Sequence, residues 1–304
     1  MVEQWSIRVP AQRGEELRRR LLEEGVLDLA LKVRREGSAL VLPVTGPREG
    51  AELSDFEILP GRQVLPRHEL VGGIAIMQDR DPGGAMIILG SRPSIHTVVY
   101  AAGEVSGEFR TREYEILAGN PTTRTEVIEY GHRFTVDLSS AYFSARLSSE
   151  RQRILERMGK NEIVLDMFAG VGPFAISLAT RAAFIIASDI NPDAVRCMLV
   201  NLVKNRIKNV LPVLADAHHL PATIPWRFDR IIMNLPLSGT AFLSEAFCLC
   251  RPGGIIHFYT LVSTVGEHND VIAGMGGEVI AERVVRSYSP MQWHAVYDIR
   301  VRED

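Results

Sequence analysis

Four polar side chains close apolar runs in the second half of the chain. Asp166 follows Ile163-Val-Leu165, Asp189 follows Ala183-Phe-Ile-Ile-Ala-Ser188, Asp216 follows Val210-Leu-Pro-Val-Leu-Ala215, and Asn234 follows Ile231-Ile-Met233. After Asp166, Gly170 and Gly172 break the run, and Pro173 opens a helix-forming segment at a position where a missing N–H costs little. A strand, a glycine turn and a helix bring backbone N–H groups against a nucleotide-like ligand. Asp189, 23 positions after Asp166, is placed to accept hydrogen bonds from ribose hydroxyls. Asp216 can take the amino group of an adenine, and Asn234 offers an amide oxygen and an amide nitrogen to a base edge. Each has a plainer reading as well. Asp189 and Asp216 can cap the helices that follow, and Asn234 can end a strand in a proline turn.

Such groups need a scaffold that lines up strand ends. Glu162 to Asp166, Ala183 to Asn191, Asn209 to Asp216, Phe228 to Pro236 and Arg251 to Tyr259 read as buried strands. Helical segments over Ser148 to Met158, Pro173 to Ala179, Pro192 to Leu202 and Phe242 to Leu249 accompany them. That alternation predicts a mostly parallel, doubly wound α/β sheet, with ligands outside the carboxyl ends of its strands. Two late strands, Glu278 to Arg286 and Ala295 to Val301, supply an antiparallel C-terminal hairpin at its edge. A nicotinamide dinucleotide is the competing ligand, but Phe174 and Ala175 after Pro173 leave the loop short of a full G-x-G-x-x-G. The closing hairpin and Asn234-Leu-Pro236 favour S-adenosylmethionine. The ordered set resembles the Rossmann-like class I methyltransferase fold, and Asn-x-Pro resembles the motif of enzymes that modify nitrogen atoms of nucleobases.

Upstream, Ser6 to Val9, a helix around Glu15 to Glu24, and strands Ala30 to Arg34 and Ala39 to Val44 suggest a small α+β module at residues 1–62. A second, β-rich module at 63–149 would hold strands Val71 to Met77, Ala85 to Leu89 and Thr97 to Tyr100, then the pair Thr125 to Tyr130 and His132 to Asp137. The sheet domain then occupies 150–304. With 304 residues, 46% hydrophobic and 23% charged, and a net charge of -3, the chain has enough material for more than one core. No run is apolar enough to span a bilayer. Cys197, Cys248 and Cys250 form neither a disulfide framework nor a zinc-ligand pattern, so no metal is expected and a reduced, cytoplasmic setting is. Lysine occurs only at Lys32, Lys160, Lys204 and Lys208. The remaining positive charge is arginine, suited to phosphate and planar base recognition and equally to a GC-rich genome.

Gly107-Glu-Phe-Arg110, Tyr142-Phe-Ser-Ala-Arg-Leu-Ser-Ser-Glu-Arg151, Asp166 to Phe174 and Asn234-Leu-Pro-Leu237 occur in one order. Together they resemble the archaeal and eukaryotic tRNA (guanine-37-N1)-methyltransferase family. The resemblance implies S-adenosylmethionine as cofactor, held by Asp166, Phe168, Gly170, Gly172, Pro173, Asp189, Ile190, Asp216, Ala217 and Asn234. It implies Glu150 as general base, Arg110 at the guanine O6, and Tyr142 and Asn234 beside the target, with Pro236 bracketing the base. Arg146 and Arg151, and with them Arg153, are candidate phosphate contacts. The first module becomes a tRNA-docking domain, and the partner is tRNA, through its anticodon stem-loop and body, met by a monomer. Ala145 stands where the family has proline, and Gly73 where it has aspartate. The chemistry is coherent with these residue types: guanine N1 must lose a proton before it can attack a methyl group, which asks for a base, and the charge that moves to O6 asks for a fixed cation. Two alternatives stay open. One is a wybutosine-pathway enzyme of the same fold, transferring an aminocarboxypropyl group or methylating a tricyclic guanine derivative; the other is a non-catalytic tRNA-binding protein.

Overall fold

The computed structural model describes residues 2–48, 50–59, 65–103, 107, 109, 111–289 and 291–303. Contacts divide the chain at Leu65/Pro66, so Met1–Leu65 and Pro66–Asp304 are taken separately.

The first unit is a four-stranded sheet in the order β2-β3-β1-β4, from β1 (Val2–Pro10), α1 (Gly14–Glu23), β2 (Arg34–Glu36), β3 (Ala39–Pro43) and β4 (Ala51–Phe56). Leu17 and Leu21, four apart on α1, pack with Leu27, Leu42 and Val44. The sequence gives no apolar alternation over β4, which pairs along β1 from Val2↔Phe56 to Ile7↔Ala51. The expected strand at Ala30 to Arg34 begins only at Arg34; Leu31 is held instead by an isolated bridge to Ile58.

The second unit opens with β5 (His68–Val71), β6 (Ile74–Met77), α2 (Pro82–Ser91), β7 (Thr97–Ala101) and β8 (Tyr114–Gly119), whose sheet order is β5-β6-β7-β8. Two expectations fail here. Val71 to Met77 is not one strand, because Gly72 adopts φ +56° and folds β5 back onto β6. Ala85 to Leu89 is helical: Pro82 occupies the first turn, and the Asp81 side chain caps the helix by accepting from Gly84 N. The hairpin β9 (Arg124–Glu129) and β10 (His132–Asp137) follows as expected, turning through Tyr130 and Gly131, both at positive φ.

Next come α3 (Ser148–Arg157), β11 (Glu162–Asp166), α4 (Pro173–Leu178), β12 (Ala182–Asp189), α5 (Pro192–Lys204), β13 (Val210–Leu214), α6 (Leu220–Thr223), β14 (Phe228–Asn234), α7 (Leu243–Leu249), β15 (Cys250–Val262), α8 (Asn269–Gly274), β16 (Gly277–Ser289) and β17 (Gln292–Val301). The sheet order is β13-β12-β11-β14-β15-β17-β16. Five parallel strands are closed by β17, which runs antiparallel between β15 and β16. The order reverses between β11 and β12 on one side and β14 on the other, so the crevice for a ligand lies above those strand ends. The 63–149 segment keeps a small core of its own, with Ala75, Met77, Ala85, Ile88, Ile95, Val98 and Ala118, and also contributes to the core of the larger sheet. Val71, Ile74 and Val99 belong to the same buried cluster as Phe134, Ile154, Val164 and Phe174. Among the described residues no helix is long and apolar enough to cross a membrane.

Candidate active site

The loop after β11 is shaped by its two glycines. Gly170 has φ +57° and Gly172 φ +88°, a region that β-carbons disfavour, and Gly172 N-caps α4 with Pro173 next. Backbone bonds pin the loop to the flanking strands: Met167 N donates to Ile232 O at 3.0 Å and Ala169 N to Ser188 O at 2.8 Å. Asp189, at the end of β12, accepts from Gly170 N at 2.7 Å and from Asn191 N at 2.9 Å, which ties the second strand end to the glycine turn. Burial raises the Asp189 carboxyl above its ordinary value.

Behind this loop lies Asp166, 1% exposed; its carboxylate oxygens have no well-aligned hydrogen-bond partner among the described residues, though the Phe168 and Ala175 N–H groups favour its charged form. Burial, reinforced by the Asp189 charge, pushes its pKa up to about 7. An unpartnered buried carboxyl is costly unless a cationic or donor group arrives to meet it.

A cavity of about 540 Å³ opens over these strand ends. Its walls include Phe168, Gly170, Pro173, Asp189 and Ile190 on one side, and Asp216, Ala217 and Asn234 on the other. Of the residues expected around a cofactor, Asp166 and Gly172 are the two outside the lining; they form its support. Asp216 caps a 3-10 turn by accepting from His218 N at 2.9 Å, and so presents its carboxylate at the rim. Asn234 lines the cavity wall, and its Oδ1 is a buried amide acceptor with no hydrogen-bond partner among the described residues. An aromatic wall, which no motif in the sequence announces, completes the cavity. His218 stacks on Phe242 at 4.1 Å, and Phe242 meets Phe168 edge-on at 5.0 Å. Asp216-Ala-His-His at a strand end was the available signal for His218; nothing local marks Phe242.

Tyr142 lines the cavity from the segment before α3. Pro236 does not: it is buried, its carbonyl accepts from Leu261 N at 3.1 Å, and its neighbours Leu235 and Leu237 face the cavity instead. Arg110 lies outside the described residues. The arginines of α3 correct a second expectation. Arg151 is 1% exposed, bonded to both oxygens of Glu129 at 2.6 Å and stacked over Phe174. Arg153 is buried as well and bonds Asp298 at 2.6 Å. A phosphate contact needs an exposed guanidinium, and of the three only Arg146 is exposed, beside Glu69 at 2.8 Å.

Glu150 is buried and outside the cavity lining. Its Oε2 accepts from Arg153 Nε at 2.8 Å and from the Tyr259 hydroxyl at 3.2 Å, with Arg283 3.5 Å from Oε1. This pair ends a chain of buried polar groups that crosses the sheet. Glu162 accepts from Arg230 Nε at 2.6 Å, Arg230 Nη1 meets His257 Nε2 at 2.6 Å, and His257 Nδ1 meets Asp298 at 2.6 Å, which Arg153 also engages. Because a guanidinium can only donate, His257 Nε2 accepts and Nδ1 carries the proton. Burial lowers the His257 pKa and keeps the ring neutral, even though Asp298 pulls the other way. Burial opposes ionisation of Asp298, but the His257 and Arg153 bonds outweigh it and hold that carboxyl well below the usual range.

A doubly wound sheet ordered 3-2-1-4-5-7-6, with a glycine loop after its first strand and polar groups at the next three strand ends, is the class I methyltransferase fold. Residues 125–274 match the TRM5/TYW2 methyltransferase domain, and residues 6–52 the tRNA methyltransferase 5 N-terminal domain. The chain belongs to the TRM5/TYW2 methyltransferase family. It is 36% identical to the tRNA (guanine(37)-N(1))-methyltransferase Trm5b of Pyrococcus abyssi, over 97% of this chain and 98% of that protein. The crystal structure of Trm5b from P. abyssi covers 99% of this chain and is itself covered in full, with a TM-score of 0.80 and 33% identity. A complex of aTrm5 and tRNALeu covers 98% of this chain and all of its own, with a TM-score of 0.77 and 29% identity. The tRNA 4-demethylwyosine(37)-methyltransferase Taw21 of Saccharolobus solfataricus is 32% identical over 79% of this chain and 95% of its own length.

Proposed function

We propose that this chain is a tRNA (guanine-37-N1)-methyltransferase that uses S-adenosylmethionine. The observation that carries the reading is the unsatisfied Asn234 amide oxygen, a buried acceptor on a residue that lines a cavity together with Asp189, Ile190, Asp216 and Phe168. Guanine presents two donors, N1–H and the exocyclic amine, on the edge where methylation occurs, so an acceptor there selects guanine over adenine, whose N1 is itself an acceptor. The residues present fit the cofactor. Asp189 suits the ribose hydroxyls, Asp216 and the Phe168–Phe242–His218 wall suit adenine, and the charge of Asp166, beneath the cavity lining, suits the cationic methionine end. When bound, S-adenosylmethionine supplies an electrophilic methyl group on sulfur.

The protein's own work is then positioning and proton management. Asn234 and Tyr142 hold the guanine with N1 toward the donor pocket. Glu150 takes the N1 proton; its Oε2 is engaged by Arg153 and Tyr259, and the role asks for a swing toward the cavity when RNA binds. Arg110 keeps the O6 role that the family resemblance gives it. The guanine must leave its stack to reach the cavity, at a cost of a few kcal/mol. The full-length correspondence to guanine-37 enzymes, against 79% for the 4-demethylwyosine enzyme, favours this over the wybutosine-pathway alternative. We place the activity in the cytoplasm, in a monomer whose first unit docks the tRNA body while the second takes the anticodon stem-loop. Labelled donor with tRNA transcripts bearing guanosine or adenosine at position 37 tests the reading. One methyl increment on the guanosine transcript alone is expected. An aminocarboxypropyl increment, or transfer to both or neither, would overturn it.

A further inference from the structure

A second cavity, of about 210 Å³, adjoins the first and shares Tyr142, Phe143 and Ser144 with it as a common wall. Its floor is apolar, with Val71, Ile76 and Leu138. Polar groups ring the rest: Glu69, Gln78, Arg112, Arg146 and Arg286. Arg146 is engaged by Glu69 at 2.8 Å, and Arg286 faces His294 at 3.4 Å. Arg112 differs: its Nε is buried and has no hydrogen-bond partner among the described residues. A guanidinium with one nitrogen left unsatisfied, at an apolar slot with aromatic sides and a carboxylate and an amide at the rim, is the chemistry that binds a splayed-out nucleobase. The ring is received by aromatic and guanidinium planes and its edge is read by polar groups.

We infer that this second cavity holds the base of a nucleotide directly adjoining the target in the same RNA. The inference rests on the RNA-methyltransferase reading and deepens it. Tyr142 stands between two bases, one on each side, and keeps the strand splayed, so that the target's neighbour cannot restack on it. The slot has room for a single ring system, whereas the first cavity is more than twice as large and takes the donor with the target. Phosphate binding is the competing use of arginines. It would not call for the apolar floor, and Arg146 is already neutralised by Glu69.

The test is a double-mutant cycle on the full-length enzyme. Arg112→Ala and, separately, Gln78→Ala are assayed on intact tRNA transcripts and on transcripts carrying an abasic residue immediately 5′ or 3′ of position 37. With intact RNA, Arg112→Ala should raise KM about five- to a hundredfold at little changed kcat, the range of a lost base-stacking contact. On one of the two abasic substrates the same substitution should change KM less than twofold, because the base it served is gone. Gln78→Ala, an exposed position, should show the same coupling at smaller size. Equal effects on intact and both abasic RNAs would overturn the inference, as would full rescue by Arg112→Lys, which marks a phosphate site. Methylation of intact RNA by the wild-type enzyme in the same assay keeps the underlying reading separate from this one.

Discussion

Between pH 5.5 and 7.0, binding of the methyl donor should tighten about fifteenfold as a single proton is released. The perturbation is protonation of Asp166. Its pKa stands at about 7 because burial, reinforced by the Asp189 charge, outweighs the backbone N–H groups of Phe168 and Ala175 that favour the carboxylate. A ligand bearing positive charge favours the ionised form, so the donor complex forms with Asp166 as carboxylate. Below pH 7 the proton must first leave, and affinity falls toward a tenfold loss per pH unit. The sign for stability is opposite. A carboxyl whose folded pKa is raised contributes stability that is present below its unfolded value and lost as pH rises through about 7, so the ligand-free protein weakens where the donor binds best. Asp189, raised for the same reason of burial, adds in the same direction. Calorimetric titrations of donor in two buffers of different ionisation enthalpy, at each pH, read both the affinity and the proton. Asp166→Asn should flatten most of the profile. A wild-type affinity independent of pH, with heats independent of buffer, would refute the reasoning.

Asp298→Ala leaves Arg153 with Glu150 alone and the buried His257 Nδ1–H without its acceptor, at about 3–5 kcal/mol. For a unit of this size the melting temperature should fall by about 6–20 °C in a calorimetric scan, and a drop below 2 °C would exclude a supporting role for the buried chain. Glu150→Gln should slow single-turnover methyl transfer by about 10²–10⁴-fold while leaving tRNA affinity within about twofold by filter binding; wild-type rates would remove Glu150 from the reaction. Gly172→Ala places a β-carbon at φ +88° and 2.9 Å from Met198 Cγ, costing about 1–3 kcal/mol in urea unfolding. An unchanged unfolding midpoint would show that the loop relaxes freely.

What the sequence made legible was local. The strand, glycine loop and helix from Glu162 to Leu178 are contiguous, and the polar strand ends at Asp189, Asp216 and Asn234 follow from where each apolar run stops. The apolar run at Ala85 to Leu89 carries no periodicity to separate strand from helix. The deciding marks were Asp81 and Pro82 just before it, a cap and a first-turn proline. The α3 arginines were readable in principle, since Leu147, Arg151, Ile154 and Met158 fall at helical spacing and all four are buried. The partners were not readable. Glu129 lies 22 positions before Arg151, and Asp298 lies 145 after Arg153, so only the folded sheet brings them together. Nor could spacing reveal that Glu150 sits behind the cavity, since that depends on Tyr259 from a strand 109 positions away.

The donor cavity is built from strand ends that meet only through distant pairing. Val164 lies beside Arg230, and Asn234 beside Tyr259. No fragment of the nascent chain that stops short of β14 can own the site, however well its glycine loop is formed. Contacts of such long sequence separation are formed late and slowly. A ligand that recognises only the finished arrangement therefore holds the whole second unit closed. Saturating donor should retard its global unfolding, and protection of amide protons in β11 and β14 should rise together as one cooperative block.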